Sequence, residues 1–121
     1  MDVVHARQQG RALALELGFS ASEATLIATA ISELSRNIVS YAGQGVVTLR
    51  RVVGPPRTGI TIEAADQGPG IADIARAVRD GYSSSGGLGL GLPGVRRLMH
   101  EFSINSAPGA GTTVVATLWL P

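Results

Sequence analysis

Apolar residues in the first third of the chain recur at helical spacing and predict two helices. The first covers residues 3–17, has an irregular apolar face, and meets a suitable stop at Gly18. Ser20 and Glu23 then have the spacing of a capping box, which opens a second helix. That helix extends toward Gly43, because apolar residues follow every three or four positions: Ile27, Ile31, Leu34, Ile38 and Tyr41.

Four later segments alternate apolar and polar residues and predict strands. They are, in chain order, residues 46–53, 59–66, 102–106 and 112–120. Turns rich in glycine and proline join the first two and the last two, so the strands form hairpin pairs. Between the hairpins we expect a short helix over 71–79, a serine–glycine loop, and a helix with Pro93 in its first turn. This order predicts an α+β two-layer sandwich, a mixed and mostly antiparallel sheet covered on one face by helices.

Composition narrows the classes of protein. With 121 residues and 45% hydrophobic content, the chain is expected to form a single domain over 1–121 with an ordinary core. Cysteine is absent, and no apolar run is long enough for a membrane span or a signal peptide, so we expect a cytoplasmic protein that does not bind membranes. A net charge of +1 favours no nucleic acid partner. All ten basic residues are arginine, which excludes any phosphate site or Schiff base built on lysine.

An acidic residue ends the second predicted strand, in the sequence Asp66-Gln67-Gly68-Pro69-Gly70. Asp66 has the same parity as the apolar residues before it and therefore faces the helices, where a carboxylate needs a donor. An adenine amine is a suitable donor, and Gly68 and Gly70 remove side chains where a flat base could approach the backbone. Thr112, on the same face of the last strand, could support that contact. The alternatives are a simple turn at 66–70 and a polar strand start at Thr112.

Glu33, Asn37 and Tyr41 are four residues apart and lie along one stripe of the second helix. Glu33 could accept a hydroxyl proton, Asn37 could offer an amide oxygen to Mg²⁺, and Tyr41 could flank a base. On spacing alone, the simpler interpretation of the stripe is a solvated helix flank with a buried tyrosine.

A loop over about 80–92 is dense in glycine, and we predict that it forms a lid over phosphates. Its backbone N–H groups, with the dipole of the next helix, would bind the phosphates. The residues assigned to this contact are Ser85, Gly86, Gly87, Leu88, Gly89 and Gly91. The formal match to a dinucleotide fingerprint is weak because no strand precedes it, and a bare flexible loop remains the alternative.

Taken in order, four motifs resemble the nucleotide-binding boxes of the GHKL ATPase and kinase superfamily. They are ExxxN at 33–37, DxGxG at 66–70, GLGLGL at 87–92 and GT at 111–112. The phrases AISELSRNI, DQGPGI, DGYSSSGGLG and GLPGVRRLM further resemble RsbT-type switch serine/threonine kinases of bacterial stressosomes.

The resemblance implies a Bergerat-type fold and a role for each matching residue. It implies Glu33 as the catalytic base, Asn37 as a Mg²⁺ ligand and Asp66 as the adenine anchor. It also implies that Gly68, Gly70 and Thr112 form the base pocket and that Gly87, Gly89 and Gly91 belong to the lid.

The resemblance also implies ATP and Mg²⁺ as cofactors and a partner-switching role. Such kinases phosphorylate STAS-domain scaffold and antagonist proteins, and then activate a metal-dependent serine phosphatase in a stress or sigma-factor cascade. A homodimer is a further expectation. Kinases of this type usually have a strand before the first helix, whereas in this chain the first helix is predicted to begin near Met1. We therefore expect one edge of the sheet to lack a neighbouring strand. The alternatives are a direct anti-sigma factor kinase, an ATP-gated binding module without phosphotransfer and, least favoured, a sensor histidine kinase fragment.

Overall fold

The computed structural model describes residues 3–70 and 91–121, in the order of elements predicted from the sequence. Seven elements are present in that part of the chain: α1 (Val3–Leu17), α2 (Ala21–Tyr41), β1 (Gly45–Val52), β2 (Gly59–Asp66), α3 (Gly91–Leu98), β3 (Glu101–Ser106) and β4 (Thr112–Trp119). The strand bounds differ from the predicted ones by no more than a residue at each end. The helix predicted over 71–79 lies outside the described residues.

The predicted capping box starts α2. The Ser20 side chain accepts the Glu23 N–H at 3.1 Å, and the Glu23 carboxylate accepts the Ser20 N–H at 2.8 Å. Both bonds satisfy donors that the first helical turn leaves without partners. A defined start sets the rotation of α2, and with it the direction of every later side chain on that helix.

The four described strands form one sheet in the order β1-β2-β4-β3, and every neighbouring pair is antiparallel. The predicted α+β sandwich is therefore confirmed. The last hairpin inserts β4 beside β2, so that β2 and β4 occupy the centre of the sheet. This arrangement brings the end of β2 next to the start of β4.

Strand parity separates the two faces of the sheet. Even-numbered side chains of β2 and β4 are buried against the helices, and they include Ile60, Ile62, Ala64, Val114, Ala116 and Leu118. The apolar stripe of α2 completes this core with Ile27, Ile31, Leu34 and Ile38. Burial of this apolar surface is the main stabilising contribution to the fold.

The strand register places two predicted site residues side by side. Asp66, the last residue of β2, is the direct partner of Thr112, the first residue of β4. Both have the even parity of the core residues, so the core face of the sheet ends in a carboxylate and a hydroxyl.

Candidate functional site

A recess bounded by α2, the sheet and the start of α3 brings four predicted site residues together. It measures about 440 Å³, counting its open mouth, and its lining includes Asn37, Asp66, Gly70 and Thr112. The rest of the lining is apolar: Leu34, Ile38, Ala64, Pro69, Leu92 and Val114. Apolar walls with a few polar groups suit a flat apolar ligand that has a polar edge.

Asp66 contributes to both a turn and the recess, so the two interpretations of the segment are compatible. Its Oδ1 accepts the N–H of Gly68 at 2.8 Å, which is a side-chain turn of the kind aspartate favours. The bond fixes the carboxylate at the end of β2 without removing it from the recess lining.

The loop after Asp66 packs too tightly for side chains at its two glycines. A β-carbon on Gly68 would lie 2.6 Å from the Cβ of Ala42, and one on Gly70 would collide with the carbonyl oxygen of Ala107. Gly70 also has a φ of +79°, which other residues adopt only with strain. Both glycines therefore allow close packing against neighbouring backbone and side chains, and Gly70 also lines the recess.

Thr112 belongs to a short chain of hydroxyl hydrogen bonds at the start of β4. Ser106 Oγ donates to the carbonyl oxygen of Gly111 at 3.0 Å and lies 2.7 Å from Thr112 Oγ1. Since the Ser106 proton is directed at Gly111, the Thr112 hydroxyl donates to Ser106. The oxygen of Thr112 is then an acceptor at the recess.

Glu33 is buried, so it is not part of a solvated helix flank. Its side chain is only 9% exposed, and two donors from different segments bind it. Oε2 accepts the N–H of Gly91, the first residue of α3, at 3.1 Å. Oε1 accepts from Nη1 of Arg36 at 3.1 Å. Burial of a carboxylate is costly without such partners, and these two satisfy one oxygen each.

Asn37 lies one helical turn after Glu33 and lines the recess. The predicted stripe therefore has Glu33 against the start of α3 and Asn37 in the recess wall. Tyr41 is the last residue of α2, and its side chain lies outside the described residues, as do Ser85, Gly86, Gly87, Leu88 and Gly89. Their assigned contacts with ATP remain predictions.

Sequence reasoning missed two features of this region. Leu34 and Ile38 entered the sequence analysis only as apolar positions of the second helix and Val114 was not named, although all three form recess walls. Arg36 was not identified as a site residue, although its position three residues after Glu33 is the spacing of helical ion pairs.

Residues 3–70 and 91–121 contain no group of three or more His, Cys, Asp or Glu side chains placed to hold a metal ion. None of the helices in that part of the chain has the length and apolarity required to cross a membrane.

Comparisons with known proteins identify the family of this chain. Residues 22–121 match the model of the family described as histidine kinase-, DNA gyrase B-, and HSP90-like ATPase. The chain is 55% identical over 119 residues to the serine/threonine-protein kinase RsbT of Bacillus subtilis (strain 168), covering 98% of this chain and 90% of RsbT.

A second curated relative is the anti-sigma F factor of Caldanaerobacter subterraneus subsp. tengcongensis, 31% identical over 95% of this chain and 83% of that protein. Among solved structures, the mycobacterial sensor histidine kinase MprB shares the fold with a TM-score of 0.61 at 18% identity, over 98% of this chain and 95% of that chain. The chain belongs to the family of histidine kinase-, DNA gyrase B- and HSP90-like ATPases and, within it, to the serine/threonine-protein kinases related to RsbT.

Proposed function

We propose that this chain transfers the γ-phosphoryl group of Mg·ATP to serine or threonine residues of STAS-domain scaffold and antagonist proteins. The observation that carries this proposal is the position of buried Glu33 one helical turn before Asn37, which shares a recess with Asp66. Glu33 would supply the base and Asn37, one turn later on α2, the amide oxygen. Asp66, across the recess from α2, would supply the acceptor for the purine edge. The 55% identity to RsbT supports the choice of serine or threonine as the acceptor.

The adenine base would occupy the apolar part of the recess. Its faces would pack between Ile38, Ala64 and Val114, all of which line the recess. Because Oδ1 of Asp66 accepts the Gly68 N–H, we assign Oδ2 to the exocyclic amine of adenine. The hydroxyl oxygen of Thr112 would accept from the same edge, directly or through water. Guanine presents a carbonyl oxygen at the corresponding position, and a carboxylate would repel it.

The phosphates would extend from the recess toward the start of α3. Asn37 is the described residue best placed to give an oxygen ligand to Mg²⁺, and its amide suits that hard cation. Bound Mg²⁺ would neutralise charge on the phosphate oxygens and hold them for in-line transfer. The glycine-rich segment from Ser85 to Gly89 would add backbone N–H donors, whereas the N–H of Gly91 binds Glu33.

Glu33 would act as the general base. The hydroxyl oxygen of the partner residue attacks the γ-phosphorus as its proton passes to the Glu33 carboxylate. The bond from the γ-phosphorus to the bridging oxygen breaks, and ADP leaves with the electron pair. Positioning and charge neutralisation dominate such transfers, so a single ordered base is the only proton acceptor that the protein needs to provide.

The same chain would act as a partner switch. Phosphorylation of a STAS protein would release the kinase, which would then activate a metal-dependent serine phosphatase in a stress or sigma-factor cascade. This would take place in the cytoplasm, where ATP is available, and the kinase could act as a homodimer. The similarity to RsbT supports this role through its kinase description.

The test is to incubate the purified protein with radiolabelled Mg·ATP and the STAS proteins encoded beside it. We expect label on one STAS protein and a phosphosite at a serine or threonine, and none when that residue is alanine. Folded kinase that binds ATP but labels no STAS protein would contradict the proposal and favour an ATP-gated binding module.

The 31% identity to an anti-sigma F factor favours a second candidate, a kinase that also sequesters a sigma factor directly. A pull-down against purified sigma factors in the presence of Mg·ADP and Mg·ATP distinguishes the two. Retention of a sigma factor would support the second candidate, whereas retention of STAS and phosphatase partners alone would support the first.

A further inference from the structure

The carboxylate of Glu33 is bound by one donor for each oxygen. The backbone N–H of Gly91 binds Oε2 and the guanidinium of Arg36 binds Oε1, both at 3.1 Å. The first donor belongs to the start of α3 and the second to the next turn of α2. Two contacts at different oxygens fix the plane of the carboxylate as well as its position.

Arg36 itself is a surface residue, with a side chain 60% exposed. Surface ion pairs usually contribute little, because water screens both charges. This pair differs because its acidic partner is buried, with 9% of the Glu33 side chain exposed, so the donors that orient the carboxylate come chiefly from the protein. Loss of Arg36 would leave that oxygen without the donor that orients it.

A second ion pair shows what an ordinary arginine does in this fold. Nη2 of Arg51 lies 3.2 Å from Oε2 of Glu16, and both side chains are more than half exposed, at 57% and 65%. The distance and the exposure of the arginine match those of Arg36. The carboxylate of Glu16 is exposed whereas that of Glu33 is buried, and the Arg51 pair joins α1 to β1 away from the recess, which makes Arg51 a suitable control.

We infer that Arg36 is a positioning residue for Glu33, which holds the base in the orientation needed to take the partner hydroxyl proton. The inference rests on the proposed role of Glu33. Each carboxylate oxygen has two lone pairs, so Oε1 can bind Arg36 and still accept a proton. Misplacing a reacting group by about 1 Å can cost roughly 100-fold in rate, so orientation alone has a measurable effect.

The test compares phosphotransfer by the parent with that of Arg36→Gln, Arg36→Lys and Arg51→Gln. For Arg36→Gln we expect kcat to fall by about 10- to 100-fold, with the Kd for ATP and the KM for the protein partner within about twofold. Arg36→Lys should recover part of the loss, since an ammonium group restores the charge without the planar fork. Arg51→Gln should match the parent.

A double-mutant cycle with Glu33→Gln separates positioning from other roles. If Arg36 acts through Glu33, then Arg36→Gln should add no further loss in the Glu33→Gln background. An additive loss, a parental kcat for Arg36→Gln, or a change confined to the Kd for ATP or the KM for the partner would overturn the inference. Parental activity of Glu33→Gln would instead reject the proposed base, so the two failures are distinguishable.

Discussion

The two ends of the central β2–β4 pair differ in what lies against them. At one end, Asp66 and Thr112 are cross-strand partners at the edge of the recess. At the other end, Gly59 and Trp119 are partners, and the indole ring covers the glycine so closely that a β-carbon there would lie 2.6 Å from its Cε3 atom. Close packing against Ala42 and Ala107 requires the glycines of the loop after Asp66, and the indole of Trp119 requires Gly59.

At the Trp119 end the polar groups bind one another, beside a surface depression of about 680 Å³ that is more open than the recess. The guanidinium of Arg57 stacks on the indole at 4.3 Å, and Nε1 of Trp119 donates to Oε2 of Glu101 at 2.6 Å. The backbone N–H of Trp119 donates to Nδ1 of His100 at 2.8 Å. Aromatic cover of a strand glycine stabilises a sheet, whereas the polar groups at the other end lie among the apolar walls of the recess. We assign a role in stability to the Trp119 end and a role in catalysis to the recess end.

The largest expected effect is on catalysis, at the recess end. We predict that Glu33→Gln lowers phosphotransfer by about 10²- to 10⁴-fold, because a positioned base contributes an effect of that size. The Kd for ATP should stay within about threefold, since the amide oxygen of the substituted side chain can still accept the Gly91 N–H. Single-turnover phosphotransfer and calorimetry measure the two quantities. Weak ATP binding with an unchanged rate of transfer would contradict the role of Glu33 as the base and indicate a role in ATP binding.

The second-largest effect is expected on ATP binding and is tested at two glycines with positive φ, Gly70 and Gly18. Gly70→Ala should weaken ATP binding by at least about tenfold and lower the melting temperature, because it adds a collision with Ala107 to backbone strain. Gly18, at a φ of +101°, would place a β-carbon in ordinary contact, 3.8 Å from Leu120. Gly18→Ala should therefore lose about 1–2 kcal/mol of stability through backbone strain alone and bind ATP as the parent does. Equal ATP affinities of the two variants would contradict the assignment of the recess.

Base selectivity should depend on the carboxylate of Asp66. We predict that Asp66→Asn weakens ATP binding by about tenfold, which is about 1.4 kcal/mol, and reduces the preference for ATP over GTP. Calorimetric titrations with both nucleotides measure the change. A preference for ATP that is the same in variant and parent would exclude Asp66 as the purine contact.

The smallest effect is expected at the Trp119 end. Arg57→Ala removes the stacked guanidinium and should cost about 0.5–1 kcal/mol of stability, the usual range for an exposed cation–π contact. ATP binding and phosphotransfer should remain parental. Chemical denaturation and the phosphotransfer assay check both statements, and loss of activity without loss of stability would show that this end has a role in function.

The sequence predicted elements and faces well because local rules determine them. The Ser20 capping box begins α2, and strand parity places Asp66 and Thr112 on the helix-covered face. Contacts between segments that are distant in the sequence could not be predicted from such local rules. The bond between Glu33 and Gly91 joins residues 58 positions apart, and the indole cover of Gly59 depends on strand register. Arg36 went unrecognised because a helical i,i+3 pair is common on surfaces, and only burial of its partner gives it significance.

The most direct test of the account is an NMR titration of the backbone amides with Mg·ATP. The recess predicts saturable shifts at Asp66, Gly70 and Thr112 by millimolar nucleotide, with little change at Gly59 and Trp119. Folded protein that shows no saturable shift at millimolar Mg·ATP would contradict the central claim. Shifts concentrated around Trp119 would contradict it equally.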